Sequence, residues 1–173
     1  MAISFYDLSV ATYLQILRSV AGILDKAAAH ARDSDLDLAA IVEAKLRDDM
    51  LPFRFQVVSV WHHSLGAING VREGSFSPPP SLPDLDYAAL QGLVTEAIEG
   101  LEKLTREEVE ALEGKPMKFV TQSVEIPFTS ENFILSFSLP NFYFHATTTY
   151  DMLRMAGVPL GKMDFLGNLR MGT

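Results

Sequence analysis

The sequence predicts an all-α protein, a bundle of four long helices, on three observations. Apolar residues recur at three- and four-residue spacing in four separate stretches, the signature of helices that bury one stripe. One proline-rich connection, "GVREGSFSPPPSLPD" at 70–84, separates the second stretch from the third. Only a short segment near 117–128 shifts to the two-residue period of a β-hairpin.

The first helix is expected over 8–32, with Val10, Tyr13, Leu14, Leu17, Val20, Ala21, Leu24 and Ala28 as its buried stripe. Asp7 or Ser9 is positioned to cap it by accepting from free N–H groups of the first turn. "DSDLD" breaks the pattern, and "LAAIVEAKL" reads as a short helical link. The second helix begins near "DDMLPF", where Pro52 suits a first turn that has no use for its missing N–H. Met50, Phe53, Val57, Val60, Trp61, Ser64 and Ile68 line one face, and the pattern stops at Gly70. The proline-rich segment that follows carries four prolines and reads as a stiff connection within one domain spanning 1–173.

The third helix is expected over 86–104, with Leu90, Val94, Ala97, Leu101 and Leu104 as its seam. Glu96, Glu99, Glu102 and Lys103 lie off that seam and read as a solvated face. Thr105 and Glu108 have capping-box spacing, each side chain reaching the other residue's N–H. Met117 and Phe119 on one side of "TQS", and Val124, Ile126 and Phe128 on the other, alternate as a small hairpin. Thr129 or Ser130 opens the last helix, expected over 131–156 and stopped by Gly157 and Pro159.

Composition narrows the function classes. Zero cysteines among 173 residues exclude disulfides, thiolate metal sites and cysteine nucleophiles. The formal charge is −8, and the 14 basic residues form no run, so nucleic acid and anionic membranes are not expected partners. No apolar run approaches the roughly 20 residues that span a bilayer. "MAISFYDLSV" lacks the basic and apolar regions of a signal peptide, which suggests a cytoplasmic location.

The last helix carries an unusual polar load in "LPNFYFHATTTYDMLR" (139–154). Pro140 cannot donate to the Ser136 carbonyl and its ring crowds that turn, so a bend is expected there. Ile134, Ser138, Asn141, His145, Thr148 and Met152 stack along one face. Phe133, Phe137, Phe142 and Phe144 make the helix apolar nearly all round and predict burial. A buried polar group without a partner costs about 1–3 kcal/mol, so this row either satisfies itself against a facing helix or looks into a wet cavity. Gln56, His62 and His63 flank the stripe of the second helix. One of them reaches the Asn141/His145 level if the two helices pack antiparallel. His63 itself reads as half exposed.

"SFYDLSV" (4–10), "DMLPFRFQV" (49–57) and above all "LPNFYFHATTTYDMLRMAGVPLGKMDFLG" (139–167) resemble an uncharacterised, domain-of-unknown-function family within the DinB/YfiT-like superfamily. The resemblance covers nearly the whole chain. It implies an up-down-down-up four-helix bundle with a small β-hairpin before the last helix, and a homodimer. It also implies a metal site of three histidines, one on the second helix and an H-x-x-x-H pair on the last. The pair falls on Asn141 and His145, and the helix-two position falls near Val58, one turn before His62. Asparagine is a weak ligand for zinc or nickel, so His62 and His145 are a poor metal set and no tightly held cofactor is expected.

Two functions follow. In the first, a small-molecule pocket lies between the second and last helices. His145 acts there as general acid/base because its ordinary pKa lies near neutrality. Asn141 and Gln56 orient a carbonyl or hydroxyl, Tyr13 or Tyr150 is a second proton donor, and Trp61 and Thr148 help line the pocket. The alternative is a non-catalytic ligand-binding or structural dimer with a degenerate metal site. "GVPLGKMDFLG" (157–167) reads as a segment packing across the bundle or a dimer seam, with Lys162 and Asp164 as alternative pocket-rim residues.

Overall fold

The computed structural model describes residues 3–82 and 84–171. A single turn, α1 (Phe5–Leu8), is capped by the Ser4 hydroxyl. The chain then breaks at Ser9 and enters the first long helix, α2 (Val10–Arg32). Neither expected cap does that work. The Ser9 hydroxyl donates back to the Phe5 carbonyl, and Asp7 belongs to α1. There the Arg106 guanidinium grips both Asp7 carboxylate oxygens at 2.8 and 3.0 Å and holds its pKa down at about 2.

The link helix α3 (Leu38–Glu43) is capped by Asp37, which accepts from Ala39 and Ala40. The second rod is continuous: α4 (Phe53–Trp61), a π-helical turn (His62–Gly66) and α5 (Ala67–Glu73). It ends at Gly74, with φ of 76°, and not at Gly70. Gly70 serves close approach instead: a Cβ there would sit 3.0 Å from the Phe76 ring and the Ser75 carbonyl. Those two residues form β1 (Ser75–Phe76), a strand the sequence pattern does not reveal.

The third rod, α6 (Tyr87–Glu102), starts at the Asp86 cap, and α7 (Arg106–Glu110) carries the expected Thr105/Glu108 capping box. The expected hairpin is β2 (Pro116–Val120) and β3 (Glu125–Thr129), antiparallel with Lys118 opposite Pro127. It is one part of a three-stranded sheet, because β1 pairs with β2 in parallel. The last rod is α8 (Ser130–Phe133), a second π-helical turn (Ile134–Ser138) and α9 (Leu139–Met155). The wide turn precedes Pro140 directly. Leu139 N–H bonds to the Ile134 carbonyl five residues back, shifting the ladder where proline supplies no donor. Gly157, with φ of 93°, ends the rod, and α10 (Lys162–Leu166) lies across α2.

The four rods share one core. α2 packs on α6 and α9, while α4 packs on α6 and α9. Tyr13, Leu17, Phe53, Leu90, Phe142 and Leu153 are fully buried at its centre. Ile16 and Ile23 are also buried, which widens the stripe of α2 beyond the expected row. The expectation that the last helix is buried all round is corrected at Tyr143 and Phe144, which are 39% and 57% exposed. Among the described residues no helix is long and apolar enough to cross a membrane.

Candidate functional site

The two π-helical turns face each other, and a buried hydrogen-bond chain ties them together. Tyr13 donates to Ser138 Oγ at 2.8 Å, and Ser138 Oγ donates to the His63 carbonyl at 2.8 Å. A π turn pulls carbonyls out of the regular ladder, so the Ser138 hydroxyl supplies a donor where the helix does not. Tyr13 has no exposed surface, and burial pushes its phenol pKa far above the ordinary value. Its hydroxyl is therefore committed to this chain.

About two helical turns away, Gln56 meets His145. The Gln56 amide nitrogen donates to the Leu51 carbonyl at 3.0 Å, which turns its oxygen toward His145 Nδ1 at 2.8 Å. An amide oxygen only accepts, so Nδ1 carries the proton and Nε2 presents a lone pair. Burial lowers the His145 pKa to about 4, so the imidazole is neutral at pH 7. Phe55 and Phe144 stand edge-on to its ring at 5.8 and 5.2 Å. Gln56 pairs with His145 while His63, seven residues on, pairs with Ser138, so the second and last rods run antiparallel there.

His63 is the residue that the sequence reading undervalued. Expected half exposed, it is 6% exposed. Its ring lies nearly parallel to that of His145, with centroids 6.1 Å apart. Burial first, then repulsion from His62 and His145, depresses its pKa to about 3. Its Nδ1 is buried and has no hydrogen-bond partner among the described residues. Phe76 and Phe137 pack on it at 5.4 and 5.8 Å, within an aromatic cluster that includes Phe119, Phe128 and Phe133. Spacing did offer a signal: His63 stands seven residues after Gln56 and three after Val60, on one helical face with both, and all three are buried.

The other expected residues are placed as follows. His62 stacks on Phe76 at 4.3 Å and its Nε2 contacts the Ser77 carbonyl at 2.7 Å, so it faces the proline segment. Trp61 sits near His62, and its buried Nε1–H has no protein acceptor. Asn141 donates to the Phe137 carbonyl at 2.7 Å, leaving Oδ1 as an acceptor. Thr148 donates to the Phe144 carbonyl of its own helix. Tyr150 accepts from Arg154 and packs on Phe165, at the C-terminal end of α9. Lys162 and Asp164 belong to α10 on α2, where Asp164 pairs with Lys26.

A cleft of about 420 Å³ lies between Arg54, Phe55 and Val58 on α4 and Pro79, Pro80 and Leu82 of the proline segment, and Phe55 is its link to His145. Phe55 both lines the cleft and touches the His145 ring. Val58, near which the resemblance places a histidine, is an apolar wall. The donors do not fit a three-histidine metal centre: Val58 has no ligand atom, the Asn141 amide nitrogen is turned to its own helix, and His62 faces Ser77. Among the described residues no group of three or more His, Cys, Asp or Glu is arranged to hold a metal ion.

The fold is that of the DinB proteins. A crystal structure of a DinB family member from Shewanella denitrificans superposes with a TM-score of 0.79 at 24% identity, over 97% of this chain and 94% of that one. Comparison with curated proteins gives no match. The family model of a domain of unknown function, DUF1993, matches residues 5–166, and the chain belongs to that family.

Proposed function

We propose that the protein binds a small, uncharged, largely apolar molecule carrying one hydrogen-bond donor, in the cleft beside Val58, with His145 Nε2 as the acceptor. The observation that carries this reading is the Gln56–His145 hydrogen bond, which holds the imidazole in one tautomer with its lone pair free. Phe55, Val58 and the prolines supply apolar surface, with Arg54 (paired with Glu43) and Ser81 at the wall, and a cavity of a few hundred Å³ with a small number of polar groups is the usual form of a small-molecule site.

The same site accommodates proton transfer, with His145 as base and Asn141 Oδ1 orienting the substrate. A base with a pKa of about 4 is weak at neutral pH, which weighs toward binding. The up-down-down-up order of the bundle, and assembly as a homodimer, come into this proposal from the superfamily resemblance.

Phenol and toluene are matched probes, alike in shape but differing by the donor. Calorimetry is expected to show saturable phenol binding about tenfold tighter than toluene, the equivalent of about 1.4 kcal/mol for one hydrogen bond. His145→Phe is expected to remove that preference. Equal affinity for the two probes, or an unchanged preference in the variant, contradicts the proposal. So does stoichiometric zinc or nickel in the purified protein that disappears in His145→Ala.

A further inference from the structure

The segment "GVPLGKMDFLG" (157–167) and the residues after it have no part in the His145 site, yet they are tied to α2 at several points. Gln15 donates to the Leu166 carbonyl at 3.2 Å, and Lys26 pairs with Asp164. Arg170 donates to the Asp7 carbonyl and to Thr12 Oγ1, each at 3.3 Å. Gly167, with φ of 60°, comes so close to α2 that a Cβ there would collide with Ser19 Oγ. Val158 and Leu160 anchor the start of the segment in the core, whereas α10 itself has no buried residue and Met163 is 63% exposed. Beyond Leu160 it is an arch held over α2 by these polar contacts, with Phe165 packed on Tyr150 behind it.

Under the arch lies a cleft of about 600 Å³, large enough for a metabolite-sized ligand. Its charged lining is Arg18, Lys26, Arg170 and Asp164, three cations against one anion, in a chain whose formal charge is −8. Lys26 is neutralised by Asp164, and Arg18 spends one nitrogen on Glu102 at 2.7 Å. The remaining N–H groups of Arg18 and those of Arg170, whose two protein contacts are both long, are free to take further acceptors. Gln15, Ser19 and Asn168 add neutral hydrogen-bonding groups to the wall.

We propose that this cleft is a second ligand site that takes a small organic anion bearing carboxylate or phosphate groups, recognised by Arg18 and Arg170. Guanidinium groups bind both kinds of oxyanion through charge-assisted, bidentate hydrogen bonds. A local excess of positive charge on an acidic protein also draws such a ligand to this face.

Succinate and glycerol 3-phosphate are the probes, with sodium chloride at matched ionic strength as the control. Thermal melts and calorimetry on the whole chain are expected to show saturable binding of one or both, and the tighter probe identifies the headgroup. Arg18→Gln and Arg170→Gln are each expected to weaken it about tenfold, the usual effect of losing one charge-assisted contact. Arg47→Gln, an exposed arginine paired only with Asp49, is expected to leave binding unchanged. Gly167→Ala, which forces the arch away from α2 with both arginines intact, is expected to weaken binding as well. The proposal is overturned if both probes act no differently from sodium chloride, or if binding survives both arginine substitutions undiminished.

Discussion

Replacing Tyr13 with phenylalanine tests the buried chain that ties the two π-helical turns together. The substitution deletes one hydroxyl and keeps the ring, so the edge-on contact with Phe142 at 5.0 Å is preserved. Ser138 Oγ keeps its bond to the His63 carbonyl and loses its incoming donor. One buried hydrogen bond plus a small packing loss is expected to cost about 1.5 kcal/mol, or about 3–6 °C in Tm for a chain of this size. Ser138→Ala is more severe. It leaves the Tyr13 hydroxyl without an acceptor and the His63 carbonyl without a side-chain donor, at about 2–4 kcal/mol. In the double variant the stranded phenol is gone, so its cost should fall short of additivity by about 1–2 kcal/mol. Urea denaturation followed by circular dichroism measures all three. Additivity within about 0.5 kcal/mol, or no cost for Tyr13→Phe, refutes the chain as a coupled unit.

Acid stability and the arch give two further predictions. His63 and His145 titrate near 3 and 4 in the folded protein against 6.5 when unfolded, and burial lowers His62 as well. The unfolded chain therefore takes up protons that the native state refuses. This stability is complete above about pH 6.5 and is lost as pH falls toward 4. Asp7, held at about 2 by Arg106 against an ordinary 3.8, gives up its contribution as pH falls through that interval, so its window begins where most of the histidine window ends. Melts from pH 7.5 to 4.5 should show Tm falling in the wild type and a flatter profile in His145→Leu, and a flat wild-type profile would contradict this assignment. Gly167→Ala should speed amide exchange across 162–168 while lowering Tm only slightly, because α10 buries no side chain. Unchanged exchange there would show that the arch does not depend on the close approach to Ser19.

What the sequence made legible was local. The Thr105/Glu108 box and the Gly157 stop are each a short-range pattern with its own hydrogen-bond logic, and each stands where expected. The strand Ser75–Phe76 was not legible, because two residues carry no period and their partner strand lies some forty positions on. The π turns escaped for a different reason: nothing in "HHSLG" or "ILSFS" announces a five-residue hydrogen bond. The resemblance favoured His62, one turn beyond Val58, whereas His63, on the Gln56 face at i+7, is buried next to His145 and His62 turns toward Ser77. The polar row was better read. Ser138, His145 and Thr148 do share one face, and Gln56 on the facing helix does reach His145.

The account rests on His145 being neutral, protonated at Nδ1 and open at Nε2. Long-range proton–nitrogen NMR of the histidine rings between pH 7.5 and 3.5 reads tautomer and titration together. The expected result is the Nδ1–H form at neutral pH, titrating with a midpoint near 4. An Nε2–H form, or a midpoint close to the ordinary value of about 6.5, would contradict it.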